Sequence, residues 1–269
     1  MKKQVISLLA IGVLLIGLGQ NLEAFGRNQR DASTLVVGAT PVPHAELLNL
    51  IAEDLAAQGF TLRVVEFTDY VQPNRALMSG DLDANFFQHL PYLQTNEEWN
   101  TRLAPAFGVH VEPFGLYSQR HNSIAALPNG ATIAIPNDPT NGGRALLLLQ
   151  ANGLITLRPD AGLQATPRDI VGNPRNFQFQ ELEAAQLPRA LADVDAATIN
   201  GNFALQAGFN PVRDSLIIEG ADSPYVNYVV VQRGAENDPR IIALRNVLHS
   251  QRVRDHINAS YGGGVVATF

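Results

Sequence analysis

The sequence predicts an α/β fold of two lobes with a ligand cleft between them. Two series of short apolar strands alternate with helical segments, one beginning near Thr34 and the other near Thr132. Alternation of this kind indicates parallel βαβ units with right-handed crossovers. Longer extended stretches at 109–118 and 223–231 follow the two series. We therefore expect two extended hinge crossings that join the lobes.

Lobe 1 is predicted at residues 34–115, with residues 228–269 returning to it. Its first series contains the predicted strands Leu35–Val37, Leu62–Phe67 and Leu82–Phe86. Between the first two strands, apolar residues at helical spacing from Leu47 to Leu55 predict a helix. The turns that follow these strands should lie along one edge of the lobe.

The segment VGATPVPHAE at 37–46 predicts a strand end, a rigid turn and a helix start. Gly38 allows a wider range of backbone dihedral angles, and Pro41 and Pro43 each fix φ. The unpaired N–H groups and positive dipole end of a helix start favour a carboxylate or phosphate. On this segment alone, an ordinary βα loop is the favoured alternative.

Lobe 2 is predicted at residues 116–227. Its series contains strand Thr132–Ile135, helix Arg144–Ala151, and strands Phe177–Glu181 and Ala196–Ile199. After the return crossing, one long amphipathic helix is expected from Asp238 to about Ser260. Two lobes joined by two crossings form the architecture of clamshell binding proteins, which hold a ligand between the lobes.

The composition favours a compact protein that acts on a small molecule. Hydrophobic residues make up 46% of the chain and charged residues 16%. The formal net charge of −6 argues against nucleic acid or anionic lipid as the partner. The chain has no cysteine, which excludes disulfides, thiolate metal sites, a cysteine nucleophile and lipid attachment through cysteine.

The first residues predict an export signal. Lys2 and Lys3 precede an apolar stretch from Val5 to Leu18, which is shorter than the roughly 20 residues of a spanning helix. We expect a signal segment at residues 1–24 and a disordered tether at 25–33. The protein should therefore be exported.

One candidate binding group follows the first strand of lobe 2. The loop PNDPTNGG leads into a predicted helix, and Thr140 or Asn141 could cap it. Arg144, one step inside that helix, carries a planar fork that matches a carboxylate bidentately. A surface arginine beside a capped helix is the structural alternative.

Aromatic and amide side chains supply the other candidates. Tyr70, Phe87 and His89 follow predicted strands of lobe 1 and could line a slot for a flat or linear apolar side chain, including a thioether. Ordinary core packing is the alternative for each. Asn202 and Asn227 lie at a strand end and on the return crossing. Carboxamides there could donate to a carboxylate and accept from an ammonium group.

Enzyme signatures such as G-x-S-x-G, H-E-x-x-H, the P-loop and G-x-G-x-x-G are missing. His44, His110 and Glu112 could be imagined as metal ligands, but no pair has i, i+4 helical spacing and no second cluster matches them. We therefore predict no catalytic residue, no metal and no cofactor.

From about Thr34 to Phe269 the chain resembles the methionine-binding proteins of ABC importers, the NlpA lipoprotein family. The resemblance rests on VGATPVPHAE, VEFTDYVQPN, DANFFQHLPYL, HVEPFGLYS, ATIAIPNDPTNGGRALLLLQ, ELEAAQLPRAL and DSPYVNYVVV, in family order. It implies a type II periplasmic-binding fold that captures methionine and delivers it to a permease and ATPase pair. By this resemblance Tyr70, Phe87 and His89 would surround the ligand side chain. The head group would be held by Asn141, Arg144, Asn202 and Asn227.

The chain departs from that family at the signal end. Family members usually carry a lipobox cysteine, whereas Leu18 and Gly19 are followed here by Gln20. We expect a monomer that is either periplasmic or held at the membrane by an uncleaved signal segment. The ligand could be L- or D-methionine or a methionine peptide. The alternatives are a receptor for another amino acid, a dipeptide or a metal ion, or an enzyme on the same scaffold.

Overall fold

The computed structural model describes residues 31–220 and 223–269. Within it, Ser33–Phe269 form one compact unit. The predicted signal segment and residues 25–30 of the predicted tether lie outside the described residues. In the described part of the chain, no helix has the length and apolar character needed to cross a membrane.

The strands, in chain order, are β1 Thr34–Ala39, β2 Thr61–Glu66, β3 Ala84–His89, β4 Leu103–Val111, β5 Gly115–Tyr117, β6 Thr132–Pro136, β7 Thr156–Leu157, β8 Ile170–Gly172, β9 Gln178–Leu182, β10 Ala196–Ile199, β11 Ile217–Ile218, β12 Val226–Gln232 and β13 Val266–Ala267. The α-helices are α1 Glu46–Leu50, α2 Ala52–Ala56, α3 Gln72–Ser79, α4 Leu90–Thr95, α5 Glu97–Arg102, α6 Pro139–Ala151, α7 Leu187–Ala190, α8 Gly201–Gln206, α9 Pro211–Asp214, α10 Pro239–Leu248 and α11 Gln251–Ser260.

Two mixed sheets form the cores of two lobes. The first has the order β13-β4-β12-β3-β1-β2, with β1 parallel to β2 and β3. In this sheet β12 runs antiparallel to both β3 and β4. The second sheet has the order β11-β5-β10-β6-β9, with β6 parallel to β9 and β10. The predicted two-lobed α/β fold is confirmed.

Helices cover both faces of the first sheet, which explains the continuous apolar runs of its strands. Successive side chains of a strand point to opposite faces. Accordingly, Val37 and Val229 belong to the core under α1, α2, α10 and α11, whereas Val36 and Val230 belong to the core on the opposite face. Strands β1 and β12 therefore carry apolar residues on both faces, so strict alternation is absent from their sequences.

The second lobe repeats the three-layer arrangement. Ile133 and Ile135 of β6 pack with apolar residues of α6, while Ala134 packs with residues of α7 and α8. The chain crosses from the first sheet to the second between β4 and β5, and returns before β12. The carboxyl ends of β3, β6 and β10 therefore supply the residues that lie between the lobes.

Several predicted elements have different bounds. The helix expected from Arg144 begins at Pro139, because the Asp138 side chain, rather than Thr140 or Asn141, caps it by accepting from the Asn141 N–H at 2.9 Å. Strand β3 extends to His89, so Phe87 lies within the strand and not after it.

The single helix expected from Asp238 to Ser260 is two helices. The first ends at Leu248, and Ser250 caps the second by accepting from the backbone of Val253. Near the start of the fold, Pro41–Ala45 form an irregular turn, and the helix expected from Leu47 to Leu55 is two helices, α1 and α2, divided at Ile51. Proline lacks the N–H that a regular helix needs.

Substitution of Gly143 tests the packing that fixes α6. A Cβ at this position would overlap the backbone of Leu163 and lie 2.9 Å from the Ala165 nitrogen. Backbone atoms cannot move aside as a side chain end can, so Gly143→Ala should lower the free energy of unfolding by ~1–3 kcal/mol in urea titrations. Gly220→Ala, where nothing lies within 4 Å of the added carbon, is the matched control. Equal stability of the two variants would contradict this account.

Candidate ligand-binding site

A cavity of about 340 Å³, mouth included, lies between the two lobes. Its walls are formed by Tyr70, Phe87, Gln88, His89, Tyr92, Glu112, Asn141, Arg144, Asn200, Gly201, Asn202 and Asn227. All seven residues proposed from the sequence therefore lie around one space. Both lobes contribute to it, and Asn227, expected on the return crossing, lies in β12 of the first sheet, where it pairs with His89 and His110.

Aromatic rings form one wall. The Tyr70 ring centroid lies 5.9 Å from that of Phe87, 5.8 Å from that of Tyr92 and 5.0 Å from that of Phe203. The Tyr92 hydroxyl donates to the Tyr70 carbonyl at 2.8 Å, which holds the loop after β2 against α4. The rings offer an apolar surface of fixed shape.

A buried amide network supports this wall from behind. The Asn74 amide donates to Gln88 at 2.9 Å, and Gln88 donates to Asn74 at 2.6 Å and to Asn85 at 2.9 Å. Asn85 in turn donates to Asn74 at 2.8 Å. Each amide is satisfied by the others, so the network can be buried without a large penalty. It fixes the part of β3 that carries Phe87 and His89.

The Arg144 side chain is buried and already engaged. Its Nε donates to Glu219 at 2.9 Å, and its Nη2 donates to the second carboxylate oxygen of Glu219 and, at 3.1 Å, to the Glu112 carbonyl. Its guanidinium carbon lies 4.0 Å from the centroid of the Tyr225 ring. Glu219 therefore occupies one bidentate edge of this guanidinium, the edge formed by Nε and Nη2. Nη1 makes no hydrogen bond within the described residues.

A chain of hydrogen bonds crosses the cavity floor from lobe 1 to lobe 2. The His89 Nδ1 accepts from the Tyr92 N–H at 3.1 Å, so its proton is on Nε2, which donates to Asn141 Oδ1 at 3.3 Å. The same Asn141 oxygen accepts from Asn200 Nδ2 at 2.8 Å. The Asn141 amide nitrogen donates to Asp138. These bonds fix the orientations of His89, Asn141 and Asn200.

Two buried polar atoms of the cavity have no partner. The Tyr70 hydroxyl donates to Asn202 Oδ1 at 2.6 Å, which leaves Asn202 Nδ2 as an unsatisfied donor. The bond from Asn200 Nδ2 leaves Asn200 Oδ1 as an unsatisfied acceptor. An unpaired buried polar group costs ~1–3 kcal/mol. The cavity therefore suits a ligand that carries both an acceptor and a donor.

A second polar cluster lies behind the cavity. His44, His110 and Glu112 are buried, and one ligand atom from each lies within 4.8 Å of the others. The fold brings them together although none has the sequence spacing of a helical metal motif. A metal-binding imidazole normally donates its other N–H to an acceptor. His110 Nδ1 has no partner, so the cluster fits hydrogen bonding better than metal binding.

Glu112 and Tyr92 line the cavity although the sequence does not indicate them as binding residues, and Gln88, Asn200 and Gly201, which adjoin predicted site residues, line it as well. In the sequence, Glu112 stands out only as a conceivable metal ligand with His44 and His110. The position of Glu112 on the first crossing between the lobes is the feature of the sequence that could have indicated a cavity residue. Conversely, the turn after β1 does not line the cavity, and it reaches the site through the 3.3 Å contact of His44 Nε2 with Asn227 Oδ1.

Two α/β lobes, two crossings and a polar cavity with one aromatic wall define a two-lobed solute-binding protein. A model of the NlpA lipoprotein family matches residues 35–269. The chain belongs to the NlpA lipoprotein family.

Similar proteins match over nearly their whole length. Membrane lipoprotein TpN32 of Treponema pallidum is 47% identical over 235 residues, which cover 87% of this chain and 88% of that protein. The methionine-binding lipoprotein MetQ of Bacillus subtilis is 39% identical over 267 residues, covering 96% and 97%. A nutrient binding protein from Burkholderia cenocepacia, solved bound to methionine, is 42% identical and superposes with a TM-score of 0.84 over 87% of this chain and 100% of that one.

Burial keeps the histidines of this region uncharged. It lowers the pKa of His44 to about 4 and those of His89 and His110 to about 3. Desolvation is the largest cause in each case, since a charged imidazole loses its hydration when it is buried. Burial also raises the pKa of the Glu112 carboxyl, and this effect is opposed by His44, Arg144 and the Asn202 backbone.

The lowered histidine pKa values predict how stability depends on pH. The unfolded chain, with imidazole pKa values near 6.5, binds more protons than the folded chain below that pH. The free energy of unfolding should therefore fall as the pH is lowered from about 6.5 towards 4. The raised pKa of the Glu112 carboxyl has the opposite effect on the free energy of unfolding, but this single group opposes three histidines.

Urea titrations at several pH values measure this slope. His110→Asn should make the slope shallower, and His121→Asn, a substitution outside the cavity, is the control. A free energy of unfolding that stays constant from pH 7.5 to pH 5 would contradict the burial of three uncharged imidazoles.

Proposed function

We propose that this protein is an exported receptor that binds methionine in the cavity and delivers it to an ABC importer. The observation that carries the proposal is the presence of an aromatic wall and of unsatisfied hydrogen-bonding groups in one cavity. The names of the Bacillus subtilis relative and of the methionine-bound Burkholderia cenocepacia protein support the same ligand. Both L- and D-methionine have the chemical groups that the cavity requires.

The ligand side chain lies against the aromatic wall in this proposal. Tyr70 and Phe87 form adjacent parts of this wall, and His89 lines the cavity beside them. A thioether sulfur gains ~0.3–1.5 kcal/mol from contact with aromatic rings. An unbranched side chain with a terminal methyl group fills such a slot, whereas a polar amide would lose its hydration there.

The opposite wall holds the amino-acid head group. Asn202 Nδ2 and Arg144 Nη1 donate to the ligand carboxylate, since both are donors without another partner in the described residues. Asn141 fixes the floor through its bonds to His89 and Asn200. Asn227, at the start of β12, accepts from the ammonium group. Bonds from both lobes would favour the closed form.

The protein acts as a receptor, not an enzyme, in this proposal, and needs no cofactor. It works as a monomer that passes methionine to a membrane permease and its ATPase. Export follows the signal at residues 1–24, and the lack of cysteine in the sequence argues against attachment through a lipidated cysteine. The protein is then periplasmic or held at the membrane by the uncleaved signal.

The aromatic slot predicts an order of ligand affinities. Calorimetric titration should give the tightest binding for methionine, weaker binding for norleucine, which lacks the polarizable sulfur, and the weakest for glutamine, whose amide would be buried without a partner. Recovery of unchanged methionine after incubation distinguishes a receptor from an enzyme, because an enzyme would convert the methionine to a product. Glutamine bound as tightly as methionine, or a new product, would contradict the proposal.

Substitution of Arg144 tests the head-group site. Arg144→Ala should weaken methionine binding by ~2–5 kcal/mol, because it removes a ligand donor and leaves Glu219 unpaired. Arg144→Lys should recover little, since a single ammonium cannot bind Glu219 and the ligand with the same geometry. Arg158→Ala is the matched control, as Arg158 pairs with Asp160 and Asp169 and does not line the cavity. Thermal melts confirm folding, and unchanged affinity in a folded Arg144→Ala protein would remove Arg144 from the site.

A further inference from the structure

The two lobes also meet at a place outside the cavity. In lobe 2, Asn210 caps the short helix α9, and Phe209 beside it packs against the core of the second sheet. In lobe 1, the segment 261–264 follows α11, and Tyr261 belongs to the core of the first sheet. We call the meeting of residues 210–212 with residues 261–264 the glycine contact. None of these residues lines the cavity.

One hydrogen bond joins the lobes at the glycine contact. Asn210 Nδ2 donates to the Tyr261 carbonyl at 3.2 Å. Each partner is fixed within its own lobe. The Tyr261 hydroxyl donates to Glu46 at 2.6 Å, and Asn210 Oδ1 accepts from the N–H groups of Val212 and Arg213, each at 3.0 Å. Because a hydrogen bond weakens steeply with distance and angle, a shift of one lobe against the other breaks this bond.

Three successive glycines allow the main chain of lobe 1 to lie directly against α9. A Cβ added to each glycine would meet a different residue of lobe 2: Asn210 Nδ2 at 3.0 Å for Gly262, Val212 Cγ2 at 3.1 Å for Gly263 and Pro211 Cδ at 2.8 Å for Gly264. Gly262 and Gly263 also have φ values of +52° and +84°, which other residues rarely adopt. Larger residues would therefore hold the lobes apart here.

Helix α8 connects the glycine contact to the cavity. Gly201 and Asn202 at its start line the cavity, and Leu205 near its end packs against the core of the first sheet. Asn202 also accepts the hydrogen bond of Tyr70, a residue of lobe 1. A shift of α8 and α9 against lobe 1 therefore changes the position of Asn202 relative to Tyr70.

We infer that Asn210 and Gly264 are positioning residues for ligand binding, because the glycine contact holds the lobes in the arrangement in which the cavity residues meet. This inference rests on the proposed function and goes beyond it. The apparent affinity of a ligand scales with the fraction of the protein in the binding-competent arrangement. Loss of the contact thus lowers the affinity for every ligand by the same factor, whereas loss of a cavity residue would change different ligands by different factors.

Substitution of Asn210 tests the inference. Asn210→Ser keeps a side chain that caps α9 but is too short to reach the Tyr261 carbonyl. Calorimetric titration should show methionine binding weakened by about two- to tenfold, and norleucine binding weakened by the same factor. Asn173→Ser is the matched control. Asn173 also donates to a backbone carbonyl and accepts from a backbone N–H, but both belong to Phe177 in lobe 2. Its affinities should equal those of the wild type.

The distance between the lobes is a readout that a purely structural role would not change. Because the chain has no cysteine, Gln58→Cys in lobe 1 and Val171→Cys in lobe 2 provide two exposed sites for spin labels. Without ligand, double electron–electron resonance should show a wider spread of distances for Asn210→Ser than for the wild type and Asn173→Ser. Saturating methionine should restore the wild-type distance, since ligand bonds to both lobes favour the same arrangement.

A second variant tests the glycines without a change in the helix cap. Gly264→Ala adds the carbon that would overlap Pro211, so it should separate the lobes and weaken binding as Asn210→Ser does. Pro211→Ala removes the overlapping ring atoms, so the double variant should recover part of the affinity and of the wild-type distances. A loss of stability confined to lobe 1 would persist in the double variant.

Four outcomes would overturn the inference. They are wild-type affinity and distances in both Asn210→Ser and Gly264→Ala, an equal spread of distances in Asn173→Ser, a changed ratio of methionine to norleucine affinity in Asn210→Ser, and a double variant without recovery. A wild-type protein that binds no methionine would overturn the proposed function instead. The distances in the unliganded protein would still test the glycine contact in that case.

Discussion

Every polar group that is buried between the lobes needs a hydrogen-bond partner, and the cavity is organised by this constraint. Asn74, Asn85 and Gln88 satisfy one another behind the aromatic wall. The amides of Asn200 and Asn202 are each satisfied at one end and unsatisfied at the other. A ligand that completes them gains more than the bonds themselves, because it removes the cost of buried groups without partners. Part of the binding free energy therefore comes from satisfying amide groups that lack a partner in the free protein.

The buried charged side chains of the cavity are subject to the same constraint. A buried arginine without a partner would destabilise the protein, so Glu219 holds Arg144 whether or not a ligand is present. In the proposed complex, the ligand carboxylate meets a group of fixed position and small net charge.

The sequence predicted the elements that local pattern controls. Strands β1 and β10 are apolar because they are covered on both faces, and all seven predicted site residues line the cavity because strand ends meet between the lobes. Long-range partners could not be predicted in this way. Glu219 lies 75 residues after Arg144, and no spacing rule joins them. Helix α6 begins earlier than expected because a cap acts outside the apolar pattern on which the prediction relied.

A crystal structure of the protein grown with methionine is the most direct test of the central claim, which is that the cavity between the lobes is the methionine site. The account predicts electron density for one methionine inside it, with the sulfur against Tyr70 and Phe87 and the carboxylate within hydrogen-bond distance of Arg144 Nη1 and Asn202 Nδ2. Density at a different place on the protein, or an unfilled cavity in crystals grown at saturating methionine, would contradict it.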